Sequence, residues 1–163
     1  MPFVYTLPTS NLATNFTTSA TPATEIEHQF IKPGTRNMGV LSVEVNGKGA
    51  ALTAITGIGF RIKKWITTAA SGGTAQTPAP NDIGMQASKS TAGMTAAASV
   101  TAGTGGPTFL GSFGCGGGGP GGWAAKNPDN LYTLEGSATQ SIGLWSVSGV
   151  ASMVWEGNTT FQE

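Results

Sequence analysis

Apolar and polar positions alternate from Gly57 to Thr68. Ile58, Phe60, Ile62 and Ile66 fall on even numbers, and Arg61 and Lys63 on odd ones. A period of two marks a strand with one apolar and one wet face. The alternation falters at Lys64 and Trp65, where charge and bulk change sides. A β-bulge there would restore the phase, or Trp65 would meet a neighbouring subunit. Three of the chain's eight basic residues lie in this strand.

The same pattern recurs on both sides of it. Glu25 to Ile31 reads as a short strand, and Pro33-Gly34 as a turn. From Gly39 to Asn46, Leu41, Val43 and Val45 face one way, with Ser42, Glu44 and Asn46 opposite. Asn46-Gly47 is a strong two-residue hairpin signal, because both residues tolerate positive φ. A return strand from Gly49 to Ile55 would then complete a three-stranded meander over residues 39–66. Ala69 to Ile83 reads as a long loop whose prolines bar it from a sheet interior. Met85 to Val100 is open to a short helix or to irregular strand. Leu131 to Leu134 is a short strand. In Ala138 to Ser146, Ile142 and Leu144 share one face and Ser141, Gly143 and Trp145 the other. Ala151 to Glu156 closes the series, and these last two strands are expected to pair as a hairpin.

About seven to nine short strands between Gly, Pro and Asn turns predict an all-β fold, a β-sandwich or barrel. The turn spacing favours a jelly-roll-like topology with long Gly/Pro-rich loops, while strand order stays open. Residues 1–24 carry scattered Phe3, Tyr5, Leu12 and Phe16 and support neither period. They read either as a flexible arm or as an extended N-terminal arm that a partner surface orders, with the aromatics as anchors. Residues 25–163 form the single β-rich domain.

Composition narrows the function. Only 10% of the 163 residues are charged and the formal net charge is zero. Nothing therefore draws the chain to nucleic acid or to an anionic membrane. A neutral surface is poorly protected against self-association, which points to a homo-oligomer. Cys115 is alone, so no disulfide joins two parts of the chain. The first residues show neither a basic region nor a long apolar run, so no signal peptide or membrane span is expected.

Catalytic chemistry has little to draw on. His28 is the one histidine, read as an exposed or rim side chain, and no Gly-x-Ser-x-Gly elbow accompanies it. Cys115 has no obvious base. Zinc ligands are too few. Asn81-Asp82 and the Asn127, Asp129, Asn130 turn offer oxygen ligands without the dense carboxylates of a calcium loop. The run Gly116 to Gly119 lacks the Lys-Ser/Thr pair of a phosphate loop. It reads either as a surface loop or as backbone threaded close to other backbone. No cofactor and no enzymatic activity are expected. Aromatic platforms for sugars remain open, with Trp123 beside Asn127 and Asp129 the best placed; the competing use of tryptophan is core or interface filling.

The segments Ile66-Thr-Thr-Ala-Ala-Ser-Gly-Gly-Thr-Ala-Gln-Thr-Pro-Ala-Pro-Asn-Asp82, Gly119-Pro-Gly-Gly-Trp-Ala-Ala125 and Ser148-Gly-Val-Ala-Ser-Met-Val-Trp-Glu156 resemble small virion proteins of tailed bacteriophages. Capsid decoration, or cement, proteins look closest. The resemblance covers roughly residues 35–160 in style and transfers no residue roles. It implies a non-enzymatic, β-rich, often trimeric structural protein seated over joints between major capsid subunits. The location implied is the capsid surface of a virion assembled in the host cytoplasm. Phe3, Tyr5 and Phe16 of the arm, with exposed Lys63 and Trp65, are the expected assembly contacts. Two alternatives stand beside this one. The first is a carbohydrate-binding module of a tail or spike, using Trp123, Asn127 and Asp129. The second is a tail or baseplate component.

Overall fold

The computed structural model describes residues 2–8, 25–48, 58–94, 100–105, 107–115, 120–127, 131–137, 139–148 and 154–163. The described residues form fourteen strands: β1 Val4–Pro8, β2 Ile26–Lys32, β3 Met38–Lys48, β4 Ile58–Trp65, β5 Ser71–Gly72, β6 Thr74–Gln76, β7 Ala79–Pro80, β8 Thr91–Met94, β9 Val100–Thr101, β10 Thr108–Cys115, β11 Gly121–Ala124, β12 Tyr132–Leu134, β13 Ser141–Ser148 and β14 Val154–Gln162. The expected all-β class is what forms.

Two large antiparallel sheets face each other. Sheet A runs β11-β3-β14-β1-β7, with β12 also on β3; sheet B runs β10-β4-β13-β2-β8-β6. Tyr5, Leu7, Val40, Val43, Val45 and Phe161 from sheet A meet Ile31, Phe60, Ile62, Met94, Ile142 and Leu144 from sheet B in one core. A third, two-stranded ribbon pairs β5 with β9 and packs Val100 against Phe30, Trp65 and Trp145 of sheet B.

Several local expectations give way to long-range pairing. The Asn46-Gly47 turn does not form: β3 runs straight through it, pairing Asn46 with Glu156 and Gly47 with Trp155 of β14. A turn dipeptide is permissive, and a strand partner along its whole length outweighs it. β3 and β4 lie in different sheets, so the meander is replaced by a crossing between layers; the expected return strand, residues 49–55, lies outside the described residues. β13 and β14 likewise go to opposite sheets instead of forming a hairpin. Within β3 the register slips opposite Thr160 and Phe161, leaving Leu41 as the extra residue. That bulge brings both Val40 and Val43 inward and leaves Leu41 half-buried.

The start of the chain is also reassigned. Residues 4–8, placed in an arm by sequence, are a strand between β14 and β7. Tyr5 stacks on Phe161 with centroids 5.6 Å apart, and its hydroxyl donates to the Gln86 carbonyl at 2.9 Å. Phe3 packs against the core and exchanges two backbone hydrogen bonds with Glu163. Residues 9–24, including Phe16, lie outside the described set. So do residues 116–119 of the glycine run. Of the stretch left open to helix or strand, Thr91–Met94 and Val100–Thr101 are strands.

Candidate functional site

The anchor strand β4 keeps its period of two to the end. Phe60 and Ile62 point inward, while Arg61, Lys63 and Trp65 share the outer face of sheet B. The apparent break at Lys64 needs no bulge. Lys64 turns toward the rim between the sheets, where its ammonium donates to the Thr133 carbonyl at 3.2 Å. Ile66, expected on the apolar face, lies beyond the strand and is exposed.

Lys63 and Trp65 are not the exposed contacts that their pattern suggests. Trp65 is 6% exposed and the Lys63 side chain 11%. A second apolar cluster explains this: Trp65, Trp145, Phe30 and Ala70, with Val100 against them. Lys63 pairs with Glu25, as does Arg61. The Lys63 ammonium also stands 4.5 Å from the centre of the Trp145 ring, a cation–π arrangement. Burial lowers the Lys63 pKa. Glu27, on the same face of β2, accepts a hydrogen bond from Trp65 Nε1 at 3.0 Å. Sequence reasoning passed over Glu27 and Trp145. The signal available was Glu25 and Glu27 two apart on a strand whose other face is apolar.

His28 corrects another expectation, since it is 1% exposed rather than at a rim. The register of β2 against β13 shifts between Leu144 and Trp145, which makes His28 the extra residue. Its Nε2 lies 2.8 Å from Ser146 Oγ. Beside it, Gln29 accepts from Thr159 Oγ1 of the opposite sheet at 3.1 Å and donates to Gln76 at 2.8 Å. These groups form a polar seam inside the sandwich. A buried Ser–His contact of this kind has no route for substrate. Burial lowers the His28 pKa from 6.5 to about 4. A depressed base stabilises the fold fully above its ordinary pKa and loses that stabilisation as pH falls through the folded value. The urea midpoint of the wild type should therefore exceed that of His28→Gln at neutral pH, and the gap should close as pH falls from 6.5 through about 4.

The proposed sugar platform is placed differently from its sequence reading. Trp123 pairs with Val43 and so faces inward, where its ring stacks on Tyr132 with centroids 4.1 Å apart. Tyr132 donates to the Leu110 carbonyl at 2.7 Å, tying sheet A to the outermost strand of sheet B. Two open hollows flank the indole. One is lined by Lys126, Leu131 and Tyr132, the other by Glu44, Pro120 and Gly122. Asn127 is exposed and borders neither hollow; Asp129 lies outside the described residues. A polar cleft of about 490 Å³ opens at the sheet rim between Asn37, Lys64, Glu135 and Gln140. Among the described residues, no group of three or more His, Cys, Asp or Glu side chains could hold a metal. Cys115 ends β10.

The outer face of sheet A carries small neutral side chains in register. Thr6, Thr160, Ser42 and Ala124 form one row across four strands, and Asn158, Glu44 and Gly122 the next across three. Glu44 is the one ionisable group of these two rows.

No protein-family model matches the sequence, and no curated protein is similar to it. Among solved structures, the chain is similar to a point mutant of the VP2 protein of infectious bursal disease virus, in derived T=1 particles. That match has 15% identity and a TM-score of 0.28, and covers 99% of this chain and 40% of the other. A chain of the T13 viral particle of the same virus matches at 12% identity and a TM-score of 0.26, covering 99% and 39%. The chain thus spans about two-fifths of the length of those two chains. At such scores the likeness carries no argument about fold or function.

Proposed function

We propose that this chain is a non-enzymatic structural protein of a virion, which decorates or cements a phage capsid by contact with the major capsid protein. The supporting observation is the nesting of its strand pairs. β1 pairs with β14, β2 with β13, β3 with β11, and β4 with β10. The first half of the chain is matched in reverse order by the second, so that a long double ribbon is rolled into two sheets. This nesting supports a jelly-roll-like reading of the two sheets, in which β5 to β9 are inserted between β4 and β10. Jelly rolls serve as viral capsid domains and as lectins, so the fold admits both main readings and decides neither.

Chemistry favours the structural one. The single histidine is sealed, and the described residues offer no metal cluster. We assign the capsid contact to the outer face of sheet A. The rows of Thr6, Thr160, Ser42 and Ala124 and of Asn158, Glu44 and Gly122 hold one ionisable group, Glu44, and can be buried with few charges stranded. Sheet B is a poorer candidate, because the β5–β9 ribbon already covers its central tryptophans. A homotrimer on the capsid surface, assembled in the host cytoplasm, is the arrangement that fits the resemblance.

The test is to measure the oligomeric state by light scattering, then image shells of the major capsid protein mixed with the purified chain. A defined oligomer on regular positions is expected, with binding lost in Thr160→Arg while the melting temperature stays within a few degrees of wild type. Shells left bare by wild-type protein would overturn the reading. The sugar-binding alternative rests on the hollows beside Trp123. It would gain from saturable glycan binding lost in Trp123→Ala.

A further inference from the structure

Among the described residues, Ile83 is the most exposed of the large apolar side chains. It stands on a turn that is tied down. Asn81 N–H donates to the Val4 carbonyl at 3.0 Å, and Thr6 Oγ1 donates to Asn81 Oδ1 at 2.8 Å, which fixes the base of the turn to β1. Met85 N–H closes the turn onto the Asp82 carbonyl at 3.4 Å, with Gly84 at φ +94°, a conformation that favours glycine. A Cβ on Gly84 would meet nothing within 4 Å, so the tip projects from the domain. A lone apolar residue on a surface is ordinary. This one is set apart by what lies at the other end of its row. Pro80, Tyr5, Phe161, Val40 and Tyr132 are successive partners across β7, β1, β14, β3 and β12. The row starts just before the Ile83 turn. It ends at Tyr132, on the wall of the hollow of about 580 Å³ that Trp123, Leu131 and Lys126 also line. Four inter-strand steps, about 19 Å, separate the two ends.

We propose that Ile83 is a knob that enters the hollow beside Tyr132 on a second copy of this chain, joining copies edge to edge in a closed ring. The proposal rests on the homo-oligomer reading above and supplies its contact. The occupant follows from complementarity. Ile83 brings a bare aliphatic group, and Trp123, Leu131 and Tyr132 offer ring and aliphatic surface to cover it. Asp82 precedes the knob and Lys126 borders the hollow, both exposed, so docking sets opposite charges beside each other at the rim. Knob and hollow stand at opposite edges of sheet A, which makes the contact heterologous. Two copies satisfy one such contact and leave a knob and a hollow open; a ring of three or more closes them all. The ring leaves the outer face of sheet A, with Thr6, Thr160 and Ser42, free for the capsid.

Light scattering of the full chain over a range of concentrations tests this. The wild type should reach the mass of a ring of three or more chains. Ile83→Asp should give the mass of one chain, with a melting temperature within a few degrees of wild type because the side chain is exposed. Lys126→Asp sets like charges together and should raise the concentration for half-assembly about tenfold. Adding Asp82→Lys to that variant should restore assembly, which a general loss of folding would not allow. An Ile83→Asp protein that keeps the wild-type mass would overturn the knob while leaving the homo-oligomer standing. Failure of the charge exchange to restore assembly would overturn the hollow as the seat of Ile83. A wild type that stays monomeric at every concentration would overturn this contact and the homo-oligomer together.

Discussion

Tyr5→Ala should remove about 3–5 kcal/mol of folding stability, the range for truncating a buried aromatic. Tyr5 is 0% exposed; the substitution deletes its stack on Phe161 and its hydrogen bond to the Gln86 carbonyl. It also opens a cavity on the core side of sheet A, where β1 is held by both β14 and β7. Against a typical total of about 5–15 kcal/mol, such a loss leaves a marginal domain. Urea unfolding checks it, with the midpoint expected to fall sharply at unchanged slope. Were residues 2–8 an arm outside the domain, the same substitution would stay within about 0.5 kcal/mol.

Trp65→Ala should be comparably severe, again about 3–5 kcal/mol. The indole is packed between Trp145, the Gly103 backbone and Ala70, and it supplies the Nε1–H that Glu27 accepts. Its removal empties the space under the ribbon and takes a donor from a buried carboxyl, which should raise the Glu27 pKa further. Ile66→Ala is the control. That neighbour is 47% exposed, so its loss should change stability by about 0.5 kcal/mol or less. Thermal unfolding of the two variants separates a structural tryptophan from a contact tryptophan. A Trp65→Ala protein as stable as wild type would place Trp65 at an interface after all.

What the sequence disclosed was local alternation. The faces of β4 and β13 were legible because each has one apolar side against the core. Long-range partners were not legible. Asn46-Gly47 signals a hairpin to any local rule, and only β14, more than a hundred residues away, keeps β3 straight through it. Tyr5 and Leu7 alternate over too few residues to outweigh the Pro- and Thr-rich segment that follows. Lys63 and Trp65 gave a correct face but a wrong exposure, because the cover comes from a ribbon of serine, glycine, valine and threonine with no apolar period. His28 and Gln29 turn inward together because of a bulge, which leaves no trace in composition. The tyrosine partner of Trp123 lies nine residues further on, across a segment with no strand signal, so the indole was read as a free platform.

The claim that function here is contact rather than chemistry is tested most directly by imaging capsid shells with and without the purified chain. A regular added density, one oligomer per repeated position and absent with Thr160→Arg, is the predicted result. Bare shells at saturating wild-type protein, with a monomer in solution, would contradict it.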